Sequence, residues 1–243
     1  MSDFIQLEYL QEKLQQLLAE SLFAIYLYGS AVDGGLGPES DLDVLVVVTQ
    51  PLTSALREQL AQELLKISQP VGELQRPLEV TILLKDEIQS GIYPLSYEMQ
   101  FGEWLREELK EGGTLSSQKD PDIDQWAPEI SDQELWQSMS DTYPEIVAHW
   151  DEDADERNQI LALCRIYFSL VMKDIASKDN AARWVMSQLP PEQKFVLQRL
   201  IQEYRGEIGK QNWQEEHYAL QPIVNFLSSK IEEQFEQKRN LIT

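Results

Sequence analysis

Asp41 and Asp43 stand one residue apart in the run Asp41–Thr49 (DLDVLVVVT), whose β-branched residues predict a buried strand. Side chains at i and i+2 of a strand share a face. The two carboxylates therefore point the same way, and Leu42 and Val44 point oppositely. Carboxylates on one face repel each other unless a cation lies between them. The hard cation that one or two carboxylates hold together with substrate phosphates is Mg²⁺. A third acid, Glu79, sits inside the apolar run Leu78–Leu84 (LEVTILL), where a carboxylate is costly unless it has a partner or a task. If that strand pairs beside Asp41–Thr49, Glu79 joins the same patch. Gly29-Ser30 follows another short apolar run, Leu22–Tyr28, and offers a backbone free to approach a phosphate and a hydroxyl to bond it. An Asp-x-Asp pair alone is common on surfaces and in turns. Its weight here comes from the upstream Gly-Ser and from the third acid.

The elements that must hold these groups are readable from periodicity. Phe4, Ile5, Leu7, Leu10, Leu14, Leu17 and Leu18 recur at helical spacing and predict a helix over residues 3–20. Leu22–Tyr28 is a strand candidate, and Gly29–Ser40, with four glycines and a proline, is a loop. Pro51 opens a helix through about Ile67, with Leu56, Leu60, Leu64 and Leu65 on one face. Tyr97–Trp104 is a weaker strand ending near Gly102. Glu111–Asp132 collects glycines, serines, Pro121 and Pro128 and reads as a linker. Beyond it the β signal disappears, and residues 132–148, 156–174, 178–188, 191–207 and 216–238 read as helices, with Ser177 a candidate N-cap. The expected architecture is an α/β domain over 1–108, a linker over 109–131 and an all-α domain over 132–243, with the cleft between the domains as the default site.

Composition narrows the classes. The chain has 243 residues, with 20 Lys and Arg against 42 Asp and Glu, a formal charge of −22. Hydrophobic residues make up 42%, enough to bury a core, which excludes wholesale disorder. A surface this acidic repels phosphate backbones, arguing against nucleic acid; it would attract a cationic ligand, while on charge alone the acidity reads first as an aid to solubility. The longest apolar stretch, around Val44–Val48, is far below the roughly 20 residues of a membrane span. Met1-Ser2-Asp3-Phe4 lacks the basic and then apolar pattern of a signal peptide. The single cysteine, Cys164, can make no internal disulfide and fits a cytoplasmic protein. No exposed apolar heptad demands a dimer, so a monomer is expected. His149 and His217 are isolated and have no metal-ligand spacing.

A strand, Gly-Ser, a short glycine-rich loop and Asp-x-Asp on the next strand together resemble the polymerase-β-like nucleotidyltransferases. The stretches LYGSAVDGGLGPESDLDVLVVV (Leu27–Val48), LEVTILL and EMQFGEWLRE (Glu98–Glu107) resemble more closely the aminoglycoside 3″/9-adenylyltransferases, the streptomycin and spectinomycin resistance enzymes. In the helical part, DERNQILALCRIYFS (Asp155–Ser169) and SKDNAARWVMSQLP (Ser177–Pro190) continue the likeness. It covers most of the chain and weakens between Leu109 and Asp151, where the segment after Glu107 is shorter than in most relatives.

The resemblance implies a nucleotidyltransferase domain followed by a helical bundle, and a reaction in which ATP donates AMP to a drug hydroxyl and pyrophosphate leaves. Asp41 and Asp43 would hold Mg²⁺, and Glu79 would be the general base. Ser30 and Ser40 would bind phosphate or metal-bound water. Arg165, Lys178 and Tyr204 match nucleotide-contacting positions; Trp104 matches a position that packs on streptomycin, and Asp155 an acidic position needed for the same drug. Trp150 and Asp151 match two further drug contacts, and Asn158 stands where some relatives have His. Retaining Trp104 and Asp155 favours action on both drugs. Two other readings keep the fold: a nucleotidyltransferase for another acceptor (a lincosamide, a cationic metabolite or a protein side chain), and a non-catalytic interaction protein, against which the three intact acids speak.

Overall fold

The computed structural model describes residues 3–32, 35–92, 94–103, 106, 131–150 and 155–242. The chain divides into two compact units, Met1–Glu129 and Ile130–Thr243. The expected linker at 109–131 lies outside the described residues, except for its last residue, Ser131.

In the first unit, helix α1 (Asp3–Leu18) leads through a 3₁₀ turn, Ala19–Ser21, into β1 (Leu22–Tyr28). A second 3₁₀ turn, Gly29–Ala31, precedes β2 (Leu42–Val48). Then follow α2 (Ser54–Ile67), β3 (Leu78–Leu84), α3 (Lys85–Ser90) and β4 (Tyr97–Phe101). The four strands form one mixed sheet in the order β1-β2-β3-β4. β1 and β2 are antiparallel, β2 and β3 parallel, and β3 and β4 antiparallel. A parallel neighbour needs a crossover, which α2 provides.

Period-two alternation divides the sheet into two faces. Leu42, Val44, Val46, Val48, Leu78, Val80 and Ile82 pack on one side with Leu10 and Leu14 of α1 and Leu60 and Leu64 of α2. On the other side, Leu45, Val47 and Leu83 are covered by Ile88 of α3 and by Leu95 and Tyr97. Asp43 and Glu79 belong by alternation to this second face, ahead of its apolar patch.

Boundaries differ from the sequence reading in a few places. α2 starts at Ser54, not Pro51, because the Thr53 side chain caps it by accepting from Leu56 N–H at 3.2 Å. α3 was not foreseen; six residues are too few to show a period, and the helix stops at Gly91 in the left-handed region (φ +61). The Glu98 carboxylate accepts from the Leu52 N–H at 2.7 Å and the Arg57 guanidinium at 2.6 Å, tying the start of α2 to β4.

The second unit comprises α4 (Asp132–His149), α5 (Glu156–Met172), α6 (Lys178–Met186), α7 (Pro191–Tyr204) and α8 (His217–Ile242). Ser131 and Glu134 form a capping box at the start of α4. The helices enclose a core that includes Ile160, Leu163, Cys164, Val185, Leu197, Leu200, Leu220, Leu227 and Ile231. Ser177 occupies the N-cap position of α6, but its hydroxyl donates to Asp179 Oδ1 at 2.8 Å and does not cap the backbone. Burial raises the Cys164 thiol far above its ordinary range, which leaves it an inert core residue. Among the described residues, no helix is long and apolar enough to cross a membrane.

Candidate active site

The parallel register sets Asp43 directly opposite Glu79, and the antiparallel register sets Tyr28 opposite Asp43. Asp41 lies just before β2, two residues from Asp43 on the same side. Each of Asp41, Asp43 and Glu79 brings a carboxylate oxygen within 4.8 Å of the others, and all three are half-buried. Two full like charges within 4.8 Å of each other repel by about 3.5 kcal/mol or more at an effective dielectric near 20. The donor set is entirely hard oxygen, which suits Mg²⁺ rather than a soft transition metal.

The turn after β1 fits against this cluster. Gly29 has φ +65, and a Cβ built there would lie 1.9 Å from Asp43 Oδ2. Conformation thus favours glycine at this position, and any side chain there would have to displace the Asp43 carboxylate. Sequence reasoning assigned Gly29 to phosphate approach; its close approach to Asp43 depends on the register of β1 on β2. Ser30 follows within the same 3₁₀ turn. Ser40 ends the loop, where its hydroxyl accepts from Gly37 N–H at 2.9 Å in a tight four-residue turn. Next to the cluster, Leu42 N–H donates to Pro77 carbonyl at 2.9 Å, joining the entrances of β2 and β3.

A polar knot that sequence reasoning missed surrounds Ser68, a buried residue between α2 and β3. Its Oγ accepts from Leu78 N–H at 2.9 Å, next to Glu79, and its hydroxyl donates to the Glu103 carboxylate. Arg106 in turn donates to both Glu103 oxygens, at 2.5 and 2.7 Å, and to the Ser68 carbonyl at 2.7 Å. The Glu of the FGEW motif therefore has a structural task at the end of β4. Trp104 and Asp151 lie outside the described residues.

In the helical unit, Arg165 is exposed on α5, Lys178 opens α6 and Tyr204 closes α7. The residues after the last two are bonded to each other: Arg205 Nη1 donates to Asp179 Oδ2 at 2.7 Å. Asp179 is 4% exposed. Burial pushes its carboxyl up, but hydrogen bonds from Ser177 and Arg205 and the charges of Arg183 and Arg205 outweigh it and hold the group below the usual aspartate range. Asp155 precedes α5, and its Oδ1 accepts from Asn158 Nδ2 at 2.7 Å. Trp150 is 6% exposed and stacks on His217, with ring centroids 4.7 Å apart.

Comparisons with known proteins place this geometry in context. Residues 11–93 match the nucleotidyltransferase domain of the polymerase beta family. Residues 127–230 match the C-terminal domain of aminoglycoside adenylyltransferases. A spectinomycin 9-adenylyltransferase from Campylobacter jejuni is 32% identical over 239 residues, covering 90% of this chain and 92% of the relative. An aminoglycoside (3″)(9) adenylyltransferase from Klebsiella pneumoniae is 35% identical over 215 residues, covering 80% and 82%. The crystal structure of a spectinomycin adenyltransferase from Enterococcus faecialis, with ATP and spectinomycin, superposes with a TM-score of 0.85 at 27% identity, covering 95% of this chain and 100% of that one.

Proposed function

The chain belongs to the aminoglycoside adenylyltransferases, and on that footing we propose that it transfers AMP from Mg-ATP to the 3″ hydroxyl of streptomycin and the 9 hydroxyl of spectinomycin, releasing pyrophosphate and giving resistance to both drugs. The observation that carries this reading is the cluster of Asp41, Asp43 and Glu79 on adjacent parallel strands.

Asp41 and Asp43 hold the metal, and the backbone of Gly29 with the hydroxyls of Ser30 and Ser40 receives the phosphate end of the nucleotide. When bound, Mg²⁺ supplies positive charge against the triphosphate and the leaving pyrophosphate. Glu79 accepts the proton of the drug hydroxyl as that oxygen bonds to the α-phosphorus and the bond to the pyrophosphate oxygen breaks. Arg165 and Lys178 contribute charge to the nucleotide, and Tyr204 stacks or hydrogen-bonds with it.

Drug recognition falls to Trp104, Asp155, Asp151 and Trp150. The drugs carry guanidinium or ammonium groups, which carboxylates and aromatic faces attract. Asp155 is held in place by Asn158, which occupies the position of a His in some relatives. Trp150 offers little surface to a ligand: it belongs to the core of the helical unit and stacks on His217. Trp104 together with Asp155 favours dual specificity over spectinomycin alone. The ATP requirement and the lone reduced-type cysteine suit the cytoplasm, and a monomer suffices for the chemistry.

The test is pyrophosphate release from Mg-ATP with streptomycin, spectinomycin, kanamycin and lincomycin in parallel. Release with the first two only is expected. Release with spectinomycin alone would keep the chemistry but remove the roles of Trp104 and Asp155 in streptomycin binding. Silence with all four, despite Mg-ATP binding, would mean another acceptor.

A further inference from the structure

Arg76 lies in the loop that enters β3, three residues before Glu79, yet its guanidinium serves the loop that enters β2. Nη1 donates to the carbonyls of Gly37 at 2.8 Å and Ser40 at 2.9 Å. Nε pairs with Asp3 Oδ2 of α1 at 3.0 Å. The backbone of Arg76 is itself clamped. Its N–H donates to Gln6 Oε1 at 3.0 Å, and its carbonyl accepts from Gln6 Nε2 at 2.8 Å. The Gln6 amide, 1% exposed, also donates to the Ile67 carbonyl at 3.2 Å at the end of α2. The guanidinium is thus presented from a rigid base built by two helices.

Its target most needs such a base. Asp43 and Glu79 lie within strands, where ladder hydrogen bonds fix their backbones. Asp41 lies one residue outside β2, at the end of the run Gly35-Leu36-Gly37-Pro38-Glu39-Ser40. Glycine gives that run backbone freedom. The Gly37–Ser40 turn is closed by the two bonds between Gly37 and Ser40, at 2.9 and 3.3 Å, and from outside by Arg76. One terminal nitrogen, Nη1, reaches both carbonyls while Nε of the same planar group pairs with Asp3, and a lysine ammonium can take over the carbonyl bonds but not both tasks at once. Hydrogen bonds from a charged donor are about twice as strong as neutral ones.

We propose that Arg76 is a positioning residue for the reaction: by fixing the Gly37–Ser40 turn, it sets Ser40 and Asp41 against Asp43 and Glu79 so that metal and triphosphate are held together. The proposal rests on the reading of Asp41 and Asp43 as metal ligands. Arg76 touches neither substrate nor metal in this role; it acts through the turn, as outer groups act on the ligands they orient.

The test uses Mn²⁺ as the probe and follows by electron paramagnetic resonance the free Mn²⁺ that the full chain removes with ATP beyond a blank of ATP and Mn²⁺ alone, alongside the drug KM at saturating ATP and metal. Arg76→Met is expected to weaken Mn²⁺ binding in the ternary mixture by about 10–100-fold. The drug KM is expected to stay within about twofold, since the drug contacts lie elsewhere. Arg76→Lys should recover part of the loss. If Arg76→Met proves too unstable, Arg76→Lys alone must still weaken Mn²⁺ binding. A purely structural arginine would lower thermal stability and leave the Mn²⁺ affinity of the folded fraction unchanged, and that result would overturn the proposal. Failure of the wild-type chain to bind Mn²⁺ with ATP would overturn the metal-site reading itself, and this inference with it.

Discussion

Gly29 and Asp43 show how one residue can be fixed by another across a strand pair. The left-handed φ of Gly29 is open to other residues at a modest strain, but the space is not, because the Asp43 carboxylate fills the volume of a Cβ. Gly29→Ala must therefore push Asp43 out of the cluster. A displacement near 1 Å of a reacting group can cost about 100-fold in rate. We expect Gly29→Ala to lose about 100-fold in kcat/KM with the far-ultraviolet dichroism of the native chain, because the change falls in a turn. Wild-type turnover by this variant would mean that Asp43 is not held where the structure has it. The three acids were legible in the sequence because strand alternation and two apolar runs suffice to align them. The Gly29 contact and the Arg76 bridge were not, since both depend on registers and loop paths that have no periodic signature.

Elements bring distant residues together in the helical unit. The start of α6 and the end of α7 meet through Asp179 and Arg205, so Lys178 and Tyr204, 26 positions apart, each immediately precede one member of the same ion pair. Because the Asp179 pKa is depressed on folding, its stabilisation is present above the ordinary aspartate value of 3.8 and is lost as pH falls below it through the folded value. Urea unfolding followed by tryptophan fluorescence checks this, since Trp136, Trp150, Trp184 and Trp213 all report on this unit. The wild-type midpoint should fall between about pH 5 and pH 3 more steeply than that of Asp179→Asn, which starts lower at neutral pH and lacks this titration. Parallel curves would remove the ion pair from the stability of the unit. Among the described residues, all four strands and the five helices of the second unit were anticipated by period and punctuation. Short α3 escaped because six residues show no period, β4 ends at Phe101 rather than Trp104, and side chains decided two further points: Thr53 moved the start of α2, and Ser177 bonds Asp179 instead of a backbone amide.

The whole molecule joins a mixed-sheet unit that gathers three carboxylates and a helical unit with its own core. The charge of −22 fits the proposed cationic acceptor and opposes phosphate backbones. The split into α/β and helical parts was plain in the sequence because β-branched runs stop before the glycine- and proline-rich middle. Specificity was less accessible to physical reading: the roles proposed for Trp104 and Asp155 rest on the family resemblance, while composition and spacing alone leave both ordinary. The decisive measurement is the mass of streptomycin and of spectinomycin after incubation with Mg-ATP and the wild-type chain or Glu79→Gln. The account predicts that each drug gains a single AMP group with the wild type and that both are recovered unchanged with Glu79→Gln. Equal adenylylation by Glu79→Gln, or no adenylylated drug from a wild-type chain that binds Mg-ATP, would contradict it.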